Sequence, residues 1–131
     1  MLTSFKDFLM EAVYKSNKRY TIDADILGFF EVYADKDDED SYQEIEFSIE
    51  AELTYFKPSP ELRVQPGSVE LSIDKSTIRF NENFTLGKEK FRKDQVVTDA
   101  FLKKHCETYK SIREMIRDLE DEIYLAAEKN L

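Results

Sequence analysis

Apolar residues fall at every second position from Ile45 to Tyr55 (Ile45, Phe47, Ile49, Ala51, Leu53, Tyr55), with Glu44, Glu46, Ser48, Glu50, Glu52 and Thr54 between them. This period-two alternation predicts a half-buried antiparallel strand over Tyr42 to Phe56. A second run of the same period spans Tyr20 to Ala34. Tyr20, Ile22, Ala24 and Ile26 share one face, and Phe30, Val32 and Ala34 continue its phase beyond Gly28. Gly28 stands where a bulge or bend is expected. Between the two runs, Asp35 to Ser41 is nearly all charge and predicts a solvated loop. Pro58, Pro60, Pro66 and Gly67 mark a long connection after Phe56. Val69, Leu71 and Ile73 predict a third strand, Lys75 and Ser76 a tight turn into Thr77 to Phe80, and Phe84 to Leu86 a further short extended piece. Gly87 to Lys93 is polar and locally basic.

Toward both ends the period becomes helical. Phe5, Phe8, Leu9, Ala12 and Val13 predict an amphipathic helix from Ser4 to Ser16, with Ser4 and Asp7 in capping-box positions. In the last third, Leu102, His105, Tyr109, Ile112, Ile116, Leu119, Ile123 and Ala126 recur in steps of three and four. Such a heptad-like seam predicts one helix from near Asp94 or Thr98 almost to the end. A helix of some 30 residues is about 45 Å long, against a diameter of roughly 36 Å for a globule of this size. It is therefore expected to overhang its own domain, to kink, or to engage a second chain. For the last case the seam predicts an antiparallel homodimer. Asp118, Asp121 and Glu122 would repel in a parallel pair, and an antiparallel one sets them near Lys103, Lys104 or Lys110 of the partner.

The expected class is α+β: an antiparallel sheet of three to four strands with a short N-terminal helix and a long C-terminal helix. The 131 residues fit a single domain, and no linker or internal repeat divides them. Ten Phe and seven Tyr predict an aromatic core. No apolar run approaches the ~18 residues of a membrane span, so no membrane association is expected. A lone cysteine, Cys106, excludes an internal disulfide and fits a reducing compartment. The net charge of −9 argues against direct nucleic-acid binding and suits a partner with a basic surface.

Candidate chemistry is sparse. Asp35, Asp37, Glu39, Ser41, Gln43 and Glu46 fall on the coordinating positions of a twelve-residue calcium loop. Asp40 occupies the position that needs glycine, however, and the flanks read as strands, so a solvated hairpin loop is expected and no metal. His105, the only histidine, and Cys106 are adjacent on a helix and point about 100° apart, which prevents a working dyad. His105 is expected as a hydrogen-bonded packing residue and Cys106 as a small buried hydrophobe. The three glycines are isolated and form no phosphate loop. Neither an enzyme nor a cofactor is expected.

The arrangement of charge says more. Glu44, Glu46, Glu50 and Glu52 line one strand face at about 6.8 Å per two residues, and Asp118, Asp121 and Glu122 crowd the last helix. These seven residues are the expected partner-binding set. DNA carries a phosphate about every 3.4 Å of axis per strand, a finer ladder that a neighbouring strand or a second chain could complete by interleaving.

The first dozen residues, MLTSFKDFLMEA, resemble the capsid-targeting leaders of internal head proteins of T-even-type tailed phages. Phe5, Phe8, Leu9, Met10, Glu11 and Ala12 follow the order aromatic, aromatic or aliphatic, aliphatic, any residue, Glu, small. The resemblance implies removal of residues 1–11 by cleavage between Glu11 and Ala12, after the aliphatic-x-Glu motif of Leu9 and Glu11. It also implies packaging in the virion and delivery to the host cytoplasm, where some such proteins disarm defence enzymes. The expected function is thus a phage accessory protein that inhibits a host defence or nucleic-acid-handling protein through acidic, DNA-mimicking surfaces. The alternative is an assembly protein of the phage head that self-associates through Leu102, Tyr109, Ile112, Ile116, Leu119 and Ile123, without inhibitory activity.

Overall fold

The computed structural model describes residues 18–57 and 70–131. The helix expected over Ser4 to Ser16, the Leu9, Glu11 and Ala12 cleavage motif, and nearly all of the proline-bearing connection lie outside them. Within them the fold is α+β, with antiparallel pairing throughout and three helices.

Two long strands dominate. β1 (Lys18–Tyr33) and β2 (Tyr42–Lys57) pair without interruption from Lys18↔Lys57 to Tyr33↔Tyr42. The alternation explains why: a slip of one residue would turn Ile45, Phe47, Ile49 and Leu53 out to solvent. Gly28 does not form a bulge, since the pairing runs through it unbroken. It pairs with Phe47 in register, and a Cβ at Gly28 would stand 2.7 Å from Cζ of that ring. Glycine is needed here for close approach. Phe47 is itself buried and packs 5.1 Å from Phe30, centroid to centroid, so its ring has little room to yield. Gly28→Ala should cost about 1–3 kcal/mol by overpacking. An unchanged urea midpoint for this variant would contradict that account.

β3 (Ser72–Phe80) completes the sheet in the order β1-β2-β3. The turn expected at Lys75 and Ser76 is absent. Glu52 pairs with Lys75 and Leu53 with Ile73, so Asp74 is an extra residue bulged out of the ladder. A bulge reverses side-chain parity. It lets odd-numbered Ile73 and even-numbered Ile78 and Phe80 face the same core, and this reversal is what resembled a turn. Asp74 is used as well: its carboxylate accepts from the buried Thr54 hydroxyl and from Arg19 at 3.4 Å. Beyond β3, β4 (Phe84–Leu86) and β5 (Glu89–Phe91) form a separate hairpin within what reads as polar sequence. Its two-residue loop begins with Gly87 at φ 61°, the backbone a tight hairpin turn requires at that position.

In place of one long helix there are α1 (Asp99–His105), α2 (Ile112–Asp118) and α3 (Glu120–Glu128). The first break has a clear cause. Cys106 turns extended, pairs with Val32 at the edge of β1, and draws the chain out of helical geometry. Ser111 then caps the next start, its hydroxyl accepting from Glu114 N–H at 3.1 Å, and the Asp99 carboxylate accepts from Ile112 N–H at 2.7 Å. At Leu119 (φ −98°, ψ 7°) the helix bends, yet Leu119 N–H to Met115 O and Ile123 N–H to Leu119 O are both 3.0 Å. From Ile112 to Glu128 the bent helix is about 25 Å long, short enough to lie on the sheet.

The helices cover one sheet face. α3 lies against β1, burying Ile123 and Ala127 in the same cluster as Ala24, Phe30, Ile45, Ile49 and Leu53. At one end Phe80 is packed among Phe84, Phe91 and Phe101, with centroids 4.9–5.6 Å apart. Among the described residues no helix is long and apolar enough to cross a membrane.

Candidate functional site

The other face of the sheet has no layer over it among the described residues. Odd positions of β1 and even positions of β2 point this way, and the register sets them opposite one another. Asp23 faces Glu52, Asp25 faces Glu50, Leu27 faces Ser48, Phe29 faces Glu46, and Glu31 faces Glu44. Three of these five pairs are carboxylate against carboxylate, at the separation of about 4.5–5.5 Å where like charges destabilise a sheet. Asp23, Asp25, Glu31, Glu44 and Glu50 are exposed; Glu46 and Glu52 are half-buried. β3 supplies sparse compensation, with Lys75 opposite Glu52 and Arg79 opposite Ser48. Asp23, Asp25, Glu50, Glu52, Lys75 and Thr77 surround a shallow depression of about 400 Å³.

Leu27 and Phe29 stand in the middle of this acidic face, 64% and 60% exposed. At its hairpin end, Tyr33 and Tyr42 pack with centroids 5.8 Å apart. The Tyr42 phenol is held above its ordinary pKa by partial desolvation, then by the charges of Glu31 and Glu44 and by its hydrogen bond to Glu44, 3.3 Å away.

Of the expected partner-binding residues, Glu44, Glu50 and Glu52 share this face. Glu46 shares it too, but its carboxylate is tied by the Asn81 side chain. The helix acids do not join them, because they belong to the layer on the opposite side of the sheet. Asp118 accepts from the Tyr109 hydroxyl, whose pKa is raised by burial first and by this bond second. Asp121 and Glu122 occupy the first turn of α3, where carboxylates offset the helix dipole. Sequence reasoning missed Asp23, Asp25 and Glu31, and the exposed Leu27 and Phe29. For the three acids the signal was present: odd residues of β1 alternate with its core set, and pairing across the acidic loop brings these acids opposite those of β2.

The proposed dimer seam turns inward. Leu102 and Ile123 are fully buried in the chain's own core, and Tyr109, Ile112, Ile116, Leu119 and Ala126 pack against it half-buried. Ile112 and Ile116 also line a groove of about 730 Å³ with Leu71, Ile73, Arg113 and Arg117.

The acidic loop is closed by its own backbone. Asp35 accepts from Asp37 N–H at 2.9 Å, Asp38 from Asp40 N–H at 3.0 Å, and a 3₁₀ turn spans Glu39–Ser41. Among the described residues no three His, Cys, Asp or Glu side chains converge to hold a metal. His105 is buried and packs as expected, with Nδ1 2.7 Å from the Tyr33 carbonyl oxygen. Its Nε2 lies 3.7 Å from Glu89 on β5. The exposed Glu89 carboxyl is held below its ordinary range, chiefly by its hydrogen bond to Lys104. Cys106 is fully buried. No family model, curated protein or solved structure matches the chain.

Proposed function

We propose that this chain is a binding protein that engages a basic protein surface through the open acidic face of its sheet. One observation carries the reading. Three rows of opposed carboxylates, Asp23/Glu52, Asp25/Glu50 and Glu31/Glu44, stand on a face that no described element covers. Such rows weaken the isolated fold, and a cationic partner would turn the same repulsion into attraction. The resemblance of the first dozen residues to phage leaders supports a host defence or nucleic-acid-handling protein as that partner, met in the host cytoplasm. The inward turn of Leu102 and Ile123 weighs against the alternative of an assembly subunit joined through its last helix.

The rows support DNA mimicry over a short stretch only. Two carboxylates per row, with rows about 6.8 Å apart, average one charge per about 3.4 Å, the spacing of one DNA strand. The β1 acids sit directly opposite those of β2 and do not interleave with them. From Asp23 to Asp25 the ladder is continuous; at Leu27 it stops.

Chemical-shift mapping on the full chain, with a partner captured from host cells, tests this reading. The expected shifts lie on Asp23 to Glu31 and Glu44 to Glu52. Shifts confined to Asp118, Asp121 and Glu122 would overturn it.

A further inference from the structure

The acidic face is interrupted at its centre by Leu27 and Phe29, 64% and 60% exposed on adjacent outward positions of β1. A surface serving only to imitate phosphate has no use for them. They are not core residues turned the wrong way either, since Gly28 between them keeps strict register with Phe47. Apolar anchors ringed by charge are the usual arrangement of a protein-binding centre, where buried side chains carry the affinity and charges steer approach.

Resting on the reading of this face as a binding surface, we propose that its partner presents a basic amphipathic helix with two apolar side chains between its cationic ones. The spacing supports this. Asp25, Leu27, Phe29 and Glu31 project at equal intervals of about 6.8 Å. Four residues of an α-helix advance about 6 Å. A helix tilted so that its i, i+4 ridge, inclined about 26° to the helix axis, runs along β1 presents a cation, two apolar residues and a second cation to these positions in turn. Glu50 and Glu44, opposite Asp25 and Glu31, double the negative charge at both cationic positions. Ser48 and Glu46, opposite Leu27 and Phe29, add no apolar width, and Glu46 is held by Asn81. The apolar seat is therefore one strand wide, which suits the narrow ridge of a helix better than a flat surface. The helix would cover the open sheet face much as α3 covers the other.

Two synthetic helical peptides test this on the intact chain. Both carry lysine at the two outer positions; one has leucine at the two inner positions and the other alanine. The leucine peptide is expected to bind the natural chain about tenfold more tightly, from partial burial of two side chains. That advantage should vanish with Leu27→Ser/Phe29→Ser, while Asp25→Asn/Glu31→Gln/Glu44→Gln/Glu50→Gln should weaken both peptides. Equal affinity of the two peptides for the natural chain, with the charge dependence intact, would overturn the apolar seat and leave the acidic-face reading standing. Affinities indifferent to the charge substitutions would overturn both. Because the first comparison uses the natural chain, it does not depend on how any variant folds.

Discussion

Phe80→Ala lowers the stability of the domain by about 3–5 kcal/mol, the usual cost of emptying an aromatic site that cannot collapse. Phe80 is 1% exposed and packs against rings from β1, β4, β5 and α1. Its ring lies 4.9 Å from Phe84 and from Phe101, 5.6 Å from Phe91 and 6.3 Å from Phe30, all between centroids. Its backbone is also committed, with Phe80 N–H donating to Gln95 O at 3.0 Å and Phe80 O accepting from Asp94 N–H at 2.7 Å. Rings from β1, the β4–β5 hairpin and α1 thus surround that of Phe80 on several sides, and the cavity is expected to stay open. Urea denaturation measures the loss. A change below about 1 kcal/mol would mean that these walls collapse inward, against the packing described.

Glu44→Gln/Glu50→Gln/Glu52→Gln has the opposite effect on the fold. Each change leaves one carboxylate in a row that now holds two. Among the described residues the register sets no cation opposite Glu44 or Glu50, so both substitutions relieve repulsion, whereas Glu52 also faces Lys75 and its change is nearly neutral. Glu46 is left intact because Asn81 binds it. At low salt the melting temperature should rise by about 2–4 °C. The gain should shrink as salt screens exposed charges over about 10 Å at 0.1 M. A natural sequence that retains such repulsion gives up stability, as binding and catalytic surfaces commonly do.

Much of this architecture is legible in the sequence, and the failures have physical causes. Period-two alternation identifies the β1–β2 hairpin because each strand has one buried and one open face, so polarity and burial coincide residue by residue. The same signal misleads at Asp74, where one inserted residue flips the parity of β3 and resembles a turn. A single long helix is suggested because apolar steps of three and four continue across Cys106 and Leu119, where the structure breaks and bends it. No glycine or proline marks either break, and the first arises from a tertiary pairing with Val32. Even there a local cue exists: Ser111 and Glu114 have the spacing of a capping box and mark the true start of α2. Of the site, the β2 acids are legible from β2 alone. Asp23, Asp25 and Glu31 emerge once β1 is laid antiparallel to it, and only exposure in the folded chain singles out Leu27 and Phe29.

Whether the acidic sheet face is the contact surface is decided by the affinity of the Gln variant. A partner captured by the natural chain is titrated with both proteins at rising salt. The Gln variant is expected to bind at least tenfold more weakly at low salt and to converge with the natural chain as salt is raised. Equal affinity of the two proteins at every salt concentration, with the variant folded, would contradict it.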